Sequence, residues 1–273
     1  MEAVLLDSCM EALVAQHDAL RMTFRNTKGT CMQLNEDTSQ KRHSIYFHDL
    51  RTEAAPLQRM QELGGQIQAS FDLSEGPMVK VGHFRLADGD RLALIIHHLV
   101  VDGVSWRILL EDFSNIYHQL KTSVPVSLPP KSDAFQRWAK LQKEFAQSEE
   151  MQQELTYWQS ACHKDIRPIP KKALAEGTPV VIDERLSFSL DKQATNSFLT
   201  NIHNVYNTDA NDVLLTSLGL AVREVFGLQK VVLEMEGHGR EDIIRDVDIS
   251  RTVGWFTSNF PFVLDEQACD HPR

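Results

Sequence analysis

The chain has 273 residues, of which 42% are hydrophobic and 24% charged, and its formal net charge is −10. This composition is typical of a globular protein with one large or two smaller domains. The negative charge argues against binding to nucleic acid or to an anionic membrane, since both require a basic surface. No apolar run approaches the roughly 20 residues that span a bilayer. The acidic N-terminus does not resemble a signal peptide.

The four cysteines are widely scattered, and none has CxxC or Cys/His ligand spacing. They are Cys9, Cys31, Cys162 and Cys269. This pattern predicts free thiols in a reducing compartment, with the cytoplasm as the expected location.

Hydrophobic periodicity predicts the elements of the first half of the chain. Helical spacing indicates helices at residues 3–20 and 54–70. Strands are predicted at about residues 22–25, 31–34, 45–47, 78–86 and 91–97. The last two strands form the clearest hairpin, because Ala87-Asp88-Gly89-Asp90 between them is a turn signal. A core-facing helix is predicted to follow Asp102-Gly103 and to extend to about Leu120.

Residues 122–133, which follow this helix, have the composition of a linker within the first lobe. One long helix is predicted from Ala134 to about Ala161, and a proline-containing irregular stretch follows it. Two lobes are therefore predicted, 1–170 and 171–273. The second lobe is predicted to contain strands near 180–190, 231–235 and 260–264 and helices at 192–205 and 209–226. Val213, Leu214, Leu218 and Val222 form the predicted buried side of the last helix.

His97 and His98 follow an apolar strand at the mouth of the predicted hairpin. Adjacent strand residues point to opposite faces, so the two imidazoles are not expected to bind one metal ion, and no further ligand lies at a usual spacing. One imidazole is predicted to face the core and the other a cavity. Histidine suits proton transfer because its ordinary pKa is near neutrality. A packed core histidine remains the alternative.

A second polar cluster, Glu236-Gly237-His238-Gly239-Arg240-Glu241, follows a short β-branched strand. It fits either a solvated glycine-rich turn or a strand end that projects Glu236 into a cleft. In a poorly hydrated cleft a carboxyl group has a raised pKa and can act as an acid or base. Arg240 could steady Glu236 or pair with another carboxylate.

Other prominent residues are expected to pack in the core and not to take part in catalysis. Gly254-Trp255-Phe256-Thr257 brings large aromatic area, as does Trp106. Ser105 lacks the GxSxG context of a serine nucleophile. No phosphate-binding loop or dinucleotide fingerprint is present.

Several motifs nevertheless resemble one family. His97-His98-Leu99-Val100-Val101-Asp102-Gly103 resembles the HHxxxDG motif of the condensation superfamily of nonribosomal peptide synthetases. The continuation Val104-Ser105-Trp106 is similar to the epimerization branch of that superfamily. So are the EGHGRE sequence at 236–241 and the RTVGWFT sequence at 251–257. Residues 17–21 and 206–216 add to the resemblance, which spans nearly the whole chain.

This resemblance implies an α/β fold, an α+β two-layer sandwich in two lobes like those of chloramphenicol acetyltransferase. It also implies epimerization at the α-carbon of an aminoacyl or peptidyl thioester. The substrate would be carried on the phosphopantetheine of a peptidyl carrier protein, beside neighbouring synthetase domains. No bound cofactor, metal, nucleic acid or membrane is implied.

The resemblance also implies roles for individual residues. His98 and Glu236 would be the acid/base pair, one from each lobe. His97, Asp102, Gly103 and Arg240 would support them, with Asp102 orienting the loop through a salt bridge and Arg240 supporting Glu236 or the intermediate. Candidate cleft residues are Trp106, His238, Trp255 and Thr257.

Compared with the family pattern, the chain is expected to be truncated at both ends, with a nearly complete first lobe and a partial second one. Two alternatives to epimerization stay open. One is a condensation domain that forms peptide bonds, in which His98 would position the attacking amine. The other is a catalytically silent fragment that at most docks a carrier protein.

Overall fold

The computed structural model describes residues 2–161, 166–170, 186–202 and 207–265. The chain forms two compact units. The first comprises Met1–Met151 and Gly237–Ser258, and the second comprises Gln152–Glu236 and Asn259–Arg273. The predicted lobes 1–170 and 171–273 stay a prediction.

The first unit opens with helix α1 (Ala3–Gln16), a 3-10 turn (Asp18–Arg21) and the antiparallel strands β1 (Met22–Thr27) and β2 (Thr30–Asn35). The predicted helix at 3–20 is thus an α-helix followed by a tighter turn. Arg21 explains the change, because its guanidinium donates to the carbonyls of Val14 and Ala15 at the end of α1. A cation there satisfies carbonyls that have no partner within the helix.

A three-stranded sheet forms the centre of the first unit. Its strands are β3 (Ser44–Asp49), β4 (Val79–Leu86) and β5 (Gly89–Ile96), in the order β3-β4-β5. β3 runs parallel to β4, and helix α2 (Pro56–Ala69) lies between them in the chain. β4 and β5 form the predicted antiparallel hairpin, with Leu86 opposite Gly89.

Helix α3 (Gly103–Lys121) packs against α1 and closes the main core. This core contains fully buried side chains from both helices and from β4, including Leu13, Val81 and Leu109. A smaller cluster joins α2 to the sheet through Ile67 and Phe84. Burial of this apolar area stabilises the elements that support the start of α3.

The predicted single helix at 134–161 is wrong. The structure has two helices, α4 (Phe135–Phe145) and α5 (Glu149–Ala161). The Ser148 hydroxyl accepts a hydrogen bond from the Met151 backbone N–H at 3.3 Å, and two glutamates follow Ser148 in the chain. Serine before acidic residues is a helix start signal, which the continuous charged pattern concealed.

The second unit contains a short helix, α6 (Lys192–Asn196), which continues into a π-helical turn (Ser197–Asn201), and helix α7 (Ala210–Phe226). Strands β6 (Lys230–Gly237) and β7 (Ser258–Asp265) pair with each other. Of the predicted strand at 180–190, residues 186–190 lack regular structure, and the rest lies outside the described residues. The same holds for the end of the predicted helix at 192–205, since residues 203–206 are not described.

Helix α7 begins at a capping box, in which the side chains of Asp209 and Asp212 each accept a hydrogen bond from the other residue's backbone N–H. Its predicted buried side is only partly correct. Val222 is buried, but Leu214 and Leu218 are 57% and 42% exposed. Helical periodicity identified the apolar face but could not show whether another element covers it.

Two of the four cysteines, Cys9 and Cys31, are described, and both are free thiols, as predicted. Cys162 and Cys269 lie outside the described residues. Over the described part of the chain, no helix has both the length and the apolarity needed to cross a membrane.

Candidate functional site

The histidine pair lies where β5 ends and a 3-10 turn begins. The predicted strand at 91–97 is one residue too long, because β5 ends at Ile96 and the turn is formed by His98–Val100. The His97 backbone N–H donates to the carbonyl of Met78 at 3.0 Å, next to the start of β4. The two imidazoles therefore sit on a rigid hairpin end.

The two imidazoles have different surroundings. His97 is half-buried, and its Nδ1 accepts a hydrogen bond from the Leu99 backbone N–H at 3.2 Å. Burial lowers the pKa of His97, and the neighbouring charge of His98 lowers it further. His98 is exposed, and its ring meets that of Trp255 edge to face, with centroids 5.5 Å apart. His98 is thus the imidazole that is open to solvent, and His97 is held by the turn.

Asp102 is the N-cap of α3. Its buried carboxylate accepts a hydrogen bond from the Ser105 backbone N–H at 2.6 Å and another from the Phe256 backbone N–H at 3.2 Å. It also accepts from the Arg240 guanidinium at 3.1 Å. The salt bridge implied for Asp102 is therefore present, and it joins the start of α3 to a segment far along the chain.

Arg240 is almost completely surrounded by acceptors. Besides Asp102, its guanidinium donates to the Ser105 hydroxyl at 3.0 Å and to backbone carbonyls that include that of Thr252 at 2.9 Å. The guanidinium carbon lies 3.9 Å from the centre of the Phe256 ring. Burial lowers the pKa of Arg240, and the Asp102 carboxylate opposes this effect. Arg240 therefore links the start of α3, through Asp102 and Ser105, to the backbone at Thr252 within the first unit.

The sequence pattern around Ser105 argues only against a nucleophile and does not reveal its position in this network. Its fully buried hydroxyl donates to the Gly254 carbonyl at 2.9 Å and accepts from the Gly254 backbone N–H at 3.1 Å. The one available signal was its position three residues after Asp102, the spacing of a capped helix start.

Two glycines allow close approach in this network. Gly239 has φ +65°, and a Cβ at this position would lie 1.7 Å from the Phe256 carbonyl oxygen. A Cβ at Gly254 would lie 2.4 Å from the ring of Phe135. Both glycines are therefore required by packing. Gly103 differs, since a Cβ there would meet no atom within 4 Å.

A second charged cluster lies further along α3. The buried Asp112 carboxylate accepts from Arg251 at 2.5 Å and pairs with the imidazole of His17 at 2.8 Å. Arg251 also pairs with Glu111. Burial lowers the pKa of His17, while Asp112 acts to raise it. This cluster anchors the start of the RTVGWFT segment.

The remaining candidate cleft residues differ in their exposure. Trp106 is half-buried and packs against the main core. His238 is exposed, and its Nδ1 accepts from the Arg240 backbone N–H at 3.0 Å. Trp255 is partly exposed beside His98, and Thr257 is half-buried. Trp255 is thus the cleft candidate that contacts the histidine pair.

Glu236 lies near the end of β6, in the second unit, and is exposed. The segment that follows it, Gly237–Ser258, belongs to the first unit. Among the described residues, no group of three or more His, Cys, Asp or Glu side chains is placed to hold a metal ion.

Comparison with known proteins identifies the class. The fold matches that of the epimerization domain from the third module of tyrocidine synthetase B, with a TM-score of 0.85 and 40% identity over 99% of this chain and 61% of that one. It also matches the first condensation domain of the calcium-dependent antibiotic synthetase, with a TM-score of 0.74 and 19% identity over 97% of this chain and 60% of that one. The mixed α/β fold is therefore chloramphenicol acetyltransferase-like, as predicted.

The family follows from the sequence comparison. The Condensation domain family matches residues 1–271. Tyrocidine synthase 2 of Brevibacillus parabrevis is 42% identical over 270 residues, which are 98% of this chain and 8% of that protein. The chain belongs to the condensation domain family of nonribosomal peptide synthetases. It spans about three fifths of the matching domain structures and a small part of the whole synthetase.

Proposed function

We propose that this chain belongs to the epimerization type and inverts the α-carbon of an aminoacyl or peptidyl thioester carried on the phosphopantetheine arm of a carrier protein. The observation that carries this proposal is the 40% identity to an epimerization domain, against 19% to a condensation domain of the same fold. The EGHGRE and RTVGWFT sequences support the same branch. The partners would be a carrier protein and neighbouring synthetase domains in the cytoplasm.

The proposed reaction removes the α-proton from one face of the carbon and returns a proton to the other. The thioester lowers the pKa of the α-proton because the resulting carbanion is delocalised as an enolate. His98 and Glu236 are the proposed acid and base, and their exposure leaves both side chains accessible to a substrate. Proton transfer by a positioned side chain contributes about 10²–10⁴-fold to the rate. No bound cofactor or metal is part of the proposal.

The support for His98 comes from its surroundings. His97 fixes the turn through Leu99, and Trp255 lies against the His98 ring. Asp102 and Arg240 hold the helix start that follows the turn. This arrangement keeps the imidazole on rigid elements, as proton transfer requires.

The test uses a carrier protein loaded with an α-deuterated aminoacyl or peptidyl group. The expected result is loss of deuterium to solvent and a change in the ratio of L to D product, without peptide formation. His98→Ala and Glu236→Gln should each lower the exchange rate by about 10²–10⁴-fold. His118→Ala and Glu224→Gln, which change exposed helix residues, are the matched controls.

A condensation activity is the second candidate, and the family match at residues 1–271 favours it. Adding a second carrier protein with an acceptor amino acid separates the two. Peptide formation without α-exchange would overturn the epimerization proposal. Exchange that persists in both His98→Ala and Glu236→Gln would overturn the proposed residues.

A further inference from the structure

The Ser105 hydroxyl connects two parts of the first unit that lie 149 residues apart in the chain. It donates one hydrogen bond, to the Gly254 carbonyl, and accepts two, from the Gly254 backbone N–H and from Arg240. A hydroxyl has one donor and two acceptor sites, so its capacity is used completely. All three bonds reach groups outside its own helix.

The bonds from Ser105 are part of an ordered contact between α3 and the segment 251–256. The Phe256 backbone N–H donates to the Asp102 carboxylate, and the Gly254 backbone N–H donates to the Ser105 hydroxyl. The Arg251 guanidinium donates to the Asp112 carboxylate. Residue numbers fall along the segment as they rise along α3, so the segment runs antiparallel to the helix. These three sites, one at the N-cap of α3 and two within the helix, fix both the position and the register of the segment.

Trp255 lies between two of these fixed residues. Its neighbour Gly254 is bound through both its N–H and its carbonyl, and its other neighbour, Phe256, is bound through its N–H. The backbone on each side therefore fixes the Cα–Cβ bond from which the Trp255 side chain starts. From this fixed position its ring meets that of His98 edge to face, with the centroids 5.5 Å apart.

We propose that Ser105 is a positioning residue, whose hydroxyl fixes the Gly254 backbone so that Trp255 holds the His98 imidazole in its working orientation. This inference rests on the proposed role of His98. Ser105 does not touch the substrate and takes no part in proton transfer. It acts through Gly254 and Trp255.

The chemistry of the Ser105 side chain explains why a hydroxyl is needed. Alanine would leave the buried Gly254 N–H and carbonyl without this partner, and an unsatisfied buried polar group is costly. The segment would be expected to shift until those groups find new partners, and Trp255 would move with it. A displacement of about 1 Å at a reacting group can lower a rate by about 10²-fold.

The experiment follows the position of the His98 ring relative to Trp255 by NMR of histidine-labelled protein. The ring C–H signals of His98 are assigned by their loss in His98→Ala, and Trp255→Leu gives their position without a neighbouring aromatic ring current. Ser105→Ala should move the His98 signals towards their position in Trp255→Leu. Ser114→Ala, which changes an exposed serine on the same helix, should leave them at the wild-type position.

The exchange assay supplies the second readout. Ser105→Ala should lower kcat by about 10- to 100-fold with little change in KM. The Ser105→Cys variant, which keeps a donor and acceptor atom at this position but forms weaker hydrogen bonds, should lie between wild type and Ser105→Ala. If Ser105→Ala does not fold, as judged by circular dichroism, Ser105→Cys takes its place in both measurements.

The proposal is overturned if the His98 signals stay at the wild-type position in Ser105→Ala, or in Ser105→Cys where that variant replaces it. This holds whatever the exchange rate of the variant. The NMR measurement requires no turnover, so it separates this inference from the proposed function. If the His98 signals move but the wild-type chain catalyses no exchange, the positioning by Ser105 stands and the epimerization proposal fails.

Discussion

Arg240 and Asp102 form a buried ion pair across 138 positions of the chain, with side chains that are 8% and 3% exposed. The pair joins the first residues of α3 to the segment that follows β6. A buried charge needs an opposite charge beside it. Removing either residue would therefore leave the other as a buried charge without its ion-pair partner. The histidine-bearing turn is held by this pair and by the hydrogen bonds of Ser105.

Removing one partner of this pair should destabilise the first unit. Asp102→Ala leaves the buried Arg240 guanidinium without its counter-charge, and about 3–5 kcal/mol of unfolding free energy should be lost. Urea unfolding followed by circular dichroism measures this loss. The matched control is Glu62→Gln, which breaks an ion pair with Arg59 whose side chains are 44% and 47% exposed. That change should cost less than about 1 kcal/mol, and an equal loss in both variants would contradict the assigned burial of the pair.

Gly239→Ala should be strongly destabilising. Its φ of +65° disfavours any side chain, and the added Cβ would lie 1.7 Å from the Phe256 carbonyl oxygen. Backbone strain of this kind costs about 1–3 kcal/mol before the clash is added. Thermal unfolding should show a clearly lowered Tm.

The control for the glycine prediction is Gly64→Ala in α2, where a Cβ meets nothing within 4 Å. Alanine is favoured over glycine inside a helix by about 1 kcal/mol, so Gly64→Ala should leave the Tm unchanged or raise it. A Tm of Gly239→Ala at or above that of Gly64→Ala would refute the close approach to Phe256.

Stability should fall as the pH is lowered through the range in which histidine titrates. Burial lowers the pKa of His17 in the folded state, so the unfolded chain, with an ordinary pKa of about 6.5, takes up a proton first. The unfolded state then binds more protons, and the unfolding free energy decreases below about pH 6.5. Urea unfolding at pH 7.5 and 5.5 should show a smaller difference for His17→Gln than for wild type.

His118→Gln, at an exposed position on α3, serves as the control for the pH prediction and should keep the wild-type difference. A pH dependence that is identical in wild type and His17→Gln would show that His17 is not buried in its neutral form.

The two described cysteines should react at very different rates. Burial raises the pKa of the Cys9 thiol to about 12, so almost no thiolate is present at pH 8, whereas Cys31 is exposed. Since the thiolate is the reactive species, iodoacetamide should label Cys31 well before Cys9 in the folded protein. Mass spectrometry of peptides measures both rates. Equal labelling without denaturant, as expected only for the unfolded chain, would contradict the burial of Cys9.

Much of the fold could be predicted from local patterns. The hairpin of β4 and β5 followed from two apolar strand segments joined by a turn signal, and α3 followed from apolar residues three and four positions apart. Two of the differences from the prediction, the break between α4 and α5 and the exposed face of α7, have a local and a long-range cause. The break at Ser148 depends on one capping hydrogen bond, while the exposure of Leu214 depends on what packs on α7.

The sequence alone determined which residues merit attention, because His97, His98 and Asp102 lie at fixed spacing on one short stretch and carry a family resemblance. Only the tertiary structure decided how these residues are held. The pairing of Asp102 with Arg240 and the bonds of Ser105 to Gly254 join positions more than 130 residues apart. Local periodicity contains no information on such pairs, since hydrogen bonds of this kind form only after α3 and the segment 251–256 are brought side by side.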